Sequence, residues 1–356
     1  MSQNLQMKPL RVCIVPEYPA SLMTGGLQVQ AEETSRALAK QGDGLSVELF
    51  NWSQRAPFPD IYHFIGFPPH LHRIAELIHQ AGRPYVITLL LGNAQGRTRL
   101  WLARARHFAK VHILGQPQSG QAVQRAFAVV TITEADANTA RRIYRIEEDR
   151  IHIVPNGVTE GFFGSTAALW QERFGAQPFV LCVGAIQKRK NQLLLLEACN
   201  KLRLPAVLLG SVLPGEKNYA QRVTAAAKLN EALGGRWLQS LLSDDPLLYS
   251  AYAACGLFCL FSVSETQPLS VLQAMAAQKP ILLLRASYTL DTPFSKLATI
   301  ASTSLEALCP ALEQAWKDGA PSSLSRDYSW DLVAKRLKTI YQTISRECPR
   351  EVDFKI

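Results

Sequence analysis

The stretch PFVLCVGAIQKRKNQLLLLEA, residues 178–198, decides the reading of the fold. It opens on an apolar run that stops at Gly184, crosses the cations Lys188, Arg189 and Lys190, and continues into a leucine-rich run. A short apolar run closed by glycine reads as a strand buried on both faces, and the run beyond it as a helix. The same pair recurs at once, as a strand over 205–210 and a helix near 216–233. Helices at 246–254 and 269–278 flank a strand at 256–261. A strand at 280–284 and helices at 304–317 and 330–345 complete this half.

Upstream, the alternation has already run once. Strands are predicted at 10–15, 45–50, 60–64, 84–91, 128–132 and 151–154, with helices at 27–40, 70–81, 98–113, 117–127 and 134–145 between them. Strand–helix alternation implies parallel sheets covered by helices on both faces. The interval 155–177, with PNG and GFFGS, breaks the rhythm, so two doubly wound α/β domains are expected rather than one long sheet. No short-period repeat points to a solenoid. Ligands of such domains bind beyond the carboxyl ends of the strands, and the two domains are expected to share a cleft there.

With 356 residues, 47% of them hydrophobic, the chain can fill two cores and is not disordered. The longest apolar run, 251–261, is too short to span a bilayer, and MSQNLQMKPL lacks the apolar core of a signal peptide. Seven scattered cysteines fit a reducing cytoplasm better than a disulfide framework, and Cys255 and Cys259 read as core residues. The formal charge of +9 is uneven: from Leu77 to Thr133 there is no acid, but there are Arg83, Arg97, Arg99, Arg104, Arg106, Lys110 and Arg125. A solvated basic face and a surface for an anionic membrane or phosphorylated acceptor both fit this charge. Nucleic acid is disfavoured, because no recognition motif accompanies it.

Three stretches after strands carry candidate chemistry. Gly25 and Gly26 sit in a loop that opens a helix, where bare backbone can approach a phosphate or simply turn. There is no G-x-G-x-x-G fingerprint, which argues against a dinucleotide-dependent oxidoreductase. Lys188, Arg189 and Lys190 follow the 178–184 strand, where such a cluster is either a solvated turn or an anion site. In ETQPLSVLQAMA, 265–276, Pro268 marks a helix start at which its missing N–H costs nothing. The amides of Gln267, Leu269 and Ser270 are then expected to face a ligand, with Ser270 and Gln273 on one helix face and Leu272, Met275 and Ala276 toward the core. Glu265 is expected against sugar hydroxyls, since a phosphate would repel it; a helix-dipole acid is the plainer reading.

Taken together, GGLQVQAEETSRAL, DIYHFIG, VTITEADANTARRIY, IHIVPNGV, VGAIQKRKN, ETQPLSVLQAMAAQKPI and YSWDLVAKRLKTIY make the chain resemble the family 4 glycosyltransferases over nearly its whole length. The resemblance implies the GT-B fold, two facing Rossmann-like domains. It places an acceptor domain at 1–160, a nucleotide-sugar donor domain at 161–335, and a C-terminal helix over 336–356 that packs back on the first. It implies a retaining transfer from a nucleoside diphosphate sugar to an acceptor hydroxyl, without a catalytic metal or other cofactor, in polysaccharide, glycolipid or other glycoconjugate synthesis. The cysteine usage points to the cytoplasm, and the basic charge to a lipid-linked or phosphorylated acceptor at the inner membrane surface.

Residue by residue, Lys190 matches the family's diphosphate lysine. Ala185 stands where its arginine is usual, so Arg189 is expected to take that task. Glu265 matches the first acid of the family's Glu, seven residues, Glu pattern, which contacts the donor sugar. Gln273 stands at the second, which bonds the ribose. Gly25 and Gly26 match glycines that approach the phosphates. Two departures stand out: Leu90 or Leu91 occupies the place of a common histidine near the anomeric centre, and Ile65 that of a second histidine after His63. These losses leave a second reading open, a catalytically silent GT-B subunit that binds a sugar or a partner protein. His63 reads as a buried structural residue, and His70 and His72 do not make a metal site.

Overall fold

A computed structural model describes residues 8–22, 25–42, 44–51, 53, 58–91, 118–239 and 241–348. The helix expected over 98–113, with Arg97, Arg99, Arg104, Arg106 and Lys110, lies outside the described residues. The chain divides into two compact units: residues 1–20, 27–157 and 330–356, and residues 21–26 and 158–329.

The first unit holds a parallel sheet of β1 (Leu10–Pro16), β2 (Leu45–Leu49), β3 (Ile61–Ile65), β4 (Tyr85–Leu89), β5 (Ala128–Thr131) and β6 (Ile151–Ile153), in the order β2-β1-β3-β4-β5-β6. Every residue of β3, β4 and β5 is buried, which is why these strands read as apolar runs broken only by His63, Thr88 and Thr131. Cys13, Val15, Tyr62, Phe64, Tyr85, Ile87 and Val129 contribute to one core on this sheet.

The second unit holds β7 (Val180–Val183), β8 (Ala206–Leu209), β9 (Arg236–Leu238), β10 (Leu257–Leu260), β11 (Ile281–Leu284) and β12 (Ala298–Ile300), in the order β12-β11-β10-β7-β8-β9. Strand residues alternate between two cores. Leu181, Val207, Phe258 and Leu283 enter one; Cys182, Leu208, Cys259 and Leu282 enter the other. The strand order reverses between β7 and β10, so the carboxyl ends of those two strands are where a doubly wound sheet takes its ligand. The edge strands β9 and β12 and the helix Ala168–Phe174 escape a sequence reading. Each strand is three residues long, too short for a period to register, and the helix is only two turns.

The chain passes between units at 157–158 and 329–330, a few residues ahead of the expected breaks at 160–161 and 335–336. Trp330 sets the second: it is buried, and a Cβ on Gly157 would come within 2.5 Å of its Cδ2, so glycine is needed there. The helix Trp330–Glu347 buries Trp330, Val333, Ala334, Leu337, Ile340, Tyr341 and Ile344, a continuous apolar stripe at helical spacing. Among the described residues no helix is long and apolar enough to cross a membrane. The cysteines at 13, 182, 199, 255, 259 and 309 are free and buried, and Cys348 is free and exposed.

Candidate functional site

At the end of β7, Gly184 takes a φ of +147°, and a Cβ there would come within 2.5 Å of Lys190 Nζ. Bare backbone at Gly210 lets the end of β8 close in, since a Cβ there would collide with the carbonyl of Gly184. Lys188–Lys190 form one turn of 3-10 helix, and Asn191 stops it in the left-handed region at φ 53°. Asparagine tolerates that conformation, and its Nδ2 donates to the Phe261 carbonyl at 2.9 Å. The cationic turn is thereby tied to the end of β10, the partner strand at the switch point.

Glu265 arrives from β10 to meet these cations. Its Oε1 lies 2.8 Å from Arg189 Nη1 and 3.5 Å from Lys190 Nζ. The Arg189 approach is a charge contact rather than an aligned hydrogen bond, because Oε1 accepts none. Burial works against ionisation of Glu265, but Lys190, Arg189 and the Ser262 hydroxyl outweigh it and hold the carboxyl below its ordinary pKa. The anion that three clustered cations call for is thus supplied in part by the protein. Glu265 is an ion-pair partner of both cations.

The two cations are not equivalent. Arg189 also donates from Nε to Gln187 Oε1 at 3.3 Å, from Nη1 to Ser262 Oγ at 3.0 Å, and from Nη1 to the Ser264 carbonyl. It pins the 262–265 loop in place. Among the described residues Lys190 has only the long contact to Glu265, which leaves its ammonium with capacity for an incoming anion.

The helix Leu269–Ala276 starts where Pro268 announces it. Pro268 is the N-cap, and its carbonyl accepts from the amides of Val271 at 3.1 Å and Leu272 at 3.3 Å. The amides of Leu269 and Ser270 find no acceptor among the described residues. They are the orphan donors of a helix N-terminus, suited to an anion.

Gln267, Ser270 and Gln273 are all buried. Tyr252, itself buried, donates its hydroxyl to Gln273 Oε1 at 2.9 Å and lies 3.2 Å from the Ser270 carbonyl. The expected ribose contact of Gln273 therefore has an internal competitor, which takes up one of the two lone pairs of its oxygen and leaves its N–H donors open. Sequence reading also missed Ser262, Tyr252 and Gly210, none of which carries a local signal.

Gly25 and Gly26 stand at the start of the Gly26–Ala39 helix. Neither takes a left-handed φ, and a Cβ on either would meet nothing within 4 Å. Local geometry does not demand glycine at either place; what it contributes is uncovered backbone. His63 is fully buried, with Nδ1 2.6 Å from Tyr341 Oη and Nε2 2.8 Å from Thr88 Oγ1. Burial pushes its pKa down to about 3. Leu90 and Leu91 are half-buried just beyond β4. His70 and His72 pack on different rings, Tyr18 and Phe67. Among the described residues no group of three or more His, Cys, Asp or Glu is placed to hold a metal ion.

Residues 177–318 match the family described as glycosyl transferases group 1. The match spans the second unit's strands and the whole cluster of Lys190, Arg189, Glu265 and Gln273. No curated protein matches the sequence. Among solved structures, Anabaena HepE, crystallised with UDP-glucose, is 16% identical, with 95% of this chain and 98% of that one covered at a TM-score of 0.65. Sucrose-phosphate synthase from Thermosynechococcus elongatus is 14% identical, with 95% and 99% covered at 0.66. Starch synthase IV from Arabidopsis thaliana, solved with ADP and acarbose, is 14% identical, with 96% and 100% covered at 0.63. At such identities the likeness establishes the fold, which is GT-B.

Proposed function

We propose that this chain is a retaining, family 4-type glycosyltransferase that moves a sugar from a nucleoside diphosphate sugar to an acceptor hydroxyl. The convergence of Lys190, Arg189 and Glu265 at the switch point of the second unit, inside the stretch that matches the family, carries this reading. The UDP-glucose of HepE and the ADP of starch synthase IV support a donor of the same kind.

In this reading Lys190 and the amides of Leu269 and Ser270 bind the diphosphate. As the glycosidic bond stretches, negative charge grows on the leaving phosphate, and donors already in place stabilise it most at the transition state. Arg189 holds the 262–265 loop and adds positive potential. Glu265, kept ionised, accepts from donor-sugar hydroxyls with the oxygen capacity its ion pairs leave. Gln273 turns its N–H donors to the ribose while Tyr252 holds its oxygen. Gly25 and Gly26 offer bare backbone to the phosphates, and Gln267 supports the loop before the helix. The leaving phosphate takes the acceptor proton, so neither a catalytic metal nor the histidine replaced by Leu90 or Leu91 is required. The domain limits and the contact of the basic 97–110 segment with an anionic membrane surface belong to the same proposal, as does glycoconjugate synthesis in the cytoplasm.

A thermal-shift series with UDP, GDP and ADP tests it, because a ligand at about 100 times its Kd stabilises by about 2.7 kcal/mol. One nucleotide should raise Tm. Lys190→Ala should weaken its binding about tenfold to a hundredfold, the size of one lost charged hydrogen bond. Consumption of the matching nucleotide sugar, unchanged by a chelator, should follow. The Tyr252 bond to Gln273 and the leucines beyond β4 favour the alternative of a silent sugar-binding subunit. Binding without turnover of any nucleotide sugar would select it.

A further inference from the structure

The first unit has a switch point of its own. Its strand order reverses between β1 and β3, where Pro16 and Ile65 pair at the carboxyl ends. The next residues are Glu17 and Gly66. Gly66 has a φ of +77°, and a Cβ on it would lie 3.5 Å from Glu17 Oε2, so the carboxylate rests over the Gly66 backbone. Glu17 is half-buried, and no donor among the described residues reaches its carboxylate. Burial raises its pKa, with His70 working the other way.

An aromatic wall stands beside this acid. His70 Nε2 donates to the Glu17 carbonyl at 2.9 Å, which fixes the imidazole plane. The ring centroids of His70 and Tyr18 are 4.8 Å apart at 34°. The turn that carries His70 is itself braced, with Phe67 packed on Phe64 at 5.3 Å and on His72 at 4.8 Å. His70 is exposed and Tyr18 half-exposed. A preorganised ring pair beside an unpaired carboxylate has a definite ligand chemistry. The C–H face of a pyranose packs on the negative faces of aromatic rings, and its hydroxyls donate to carboxylate. A phosphate would instead meet the Glu17 charge, and Arg73, three residues beyond His70, pairs with Glu76 at 2.9 Å.

We propose that Glu17, Tyr18 and His70 form the binding site for the acceptor, and that the acceptor presents a neutral pyranose there. This rests on the glycosyltransferase reading and names its acceptor class. The sugar can end a soluble glycan or head a glycolipid, and the test separates the two.

Saturation-transfer NMR on the full chain would use the methyl pyranosides of glucose, galactose and mannose, with glucose 6-phosphate as the charged counterpart. Vesicles of phosphatidylcholine with and without a glycosylated lipid form a second arm. At least one neutral pyranoside should bind, through one ring face, and bind about tenfold or more weakly in Glu17→Gln and Tyr18→Ala. The vesicle arm assigns the source: selective retention on glycolipid vesicles means a lipid-borne sugar, and its absence a soluble one. His70→Ala, at an exposed position, gives the same readout if Tyr18→Ala does not fold. Binding of no neutral pyranoside, binding of the phosphate in preference, or pyranoside binding indifferent to Glu17→Gln would overturn the proposal. The UDP-, GDP- and ADP-induced thermal shifts of the wild type, which depend on Lys190, report the donor reading separately. If they fail while Glu17-dependent pyranoside binding holds, the sugar site stands and the transferase reading falls.

Discussion

Lys190 occupies the space that a side chain at residue 184 would need: its Nζ would lie 2.5 Å from a Cβ on Gly184. The glycine that ends β7 is therefore part of the cation's seat, and not only a turn after a strand.

Gly184→Ala should dislodge that seat. At a φ of +147° the backbone strain costs about 1–3 kcal/mol, while the clash falls on the mobile tip of a lysine that can swing aside. The expected outcome is a folded protein with reduced urea stability whose nucleotide affinity drops about as far as that of Lys190→Ala. Wild-type nucleotide affinity in Gly184→Ala would show that the lysine does not act from this position.

Glu265 should make the protein acid-sensitive. Its folded pKa is lowered, so as pH falls the unfolded chain takes up the proton first. The stability it contributes is complete above the ordinary glutamate value of about 4.3 and is lost as pH falls through the folded value. Glu265→Gln should flatten the fall in Tm between about pH 5 and pH 3. Parallel wild-type and variant profiles would mean that Lys190 and Arg189 do not hold the carboxylate ionised.

His63 acts in a different window. Its folded pKa is about 3 and its unfolded value about 6.5, so between them only the unfolded state binds the proton. Stability should decline below about pH 6.5 by about 1.4 kcal/mol per pH unit from this group. His63→Gln removes the titration and should lessen the slope, whatever its effect on absolute stability. Denaturant melts at several pH values measure this, and an unchanged slope contradicts burial of the neutral ring against Tyr341 and Thr88.

Two buried tyrosines should respond oppositely to loss of the hydroxyl. Tyr252→Phe strands the Gln273 oxygen and should cost about 1–3 kcal/mol. Tyr288 is fully buried, and its hydroxyl has no hydrogen-bond partner among the described residues, so Tyr288→Phe should be neutral or slightly stabilising. Equilibrium urea unfolding of the pair decides this; equal losses would show that Tyr288 has a partner after all.

The strand-forming runs were legible because parallel strands buried on both faces are written as mostly apolar sequence: IYHFI, YVITL and LFCL are β3, β4 and β10. Pro268 was legible as a helix start for an equally local reason, its missing amide. RWL and ATI, edge strands of three residues, were not, although IHI, equally short, was read within IHIV as β6. Gly25 and Gly26 were singled out for bare backbone beside a phosphate; neither their φ values nor their surroundings demand glycine.

From the order of residues alone came the two α/β halves, the cations after β7 and the acid before the 269–276 helix, since each depends on neighbours a few positions apart. Tertiary structure alone decided that Glu265 pairs with Arg189 and Lys190, that Tyr252 claims Gln273, and that His63 is sealed under Tyr341. Those partners are between 21 and 278 residues apart, and which polar groups share a strand end depends on sheet order and register. No local spacing encodes that, because a buried charge or amide takes whichever partner the fold brings within about 3 Å.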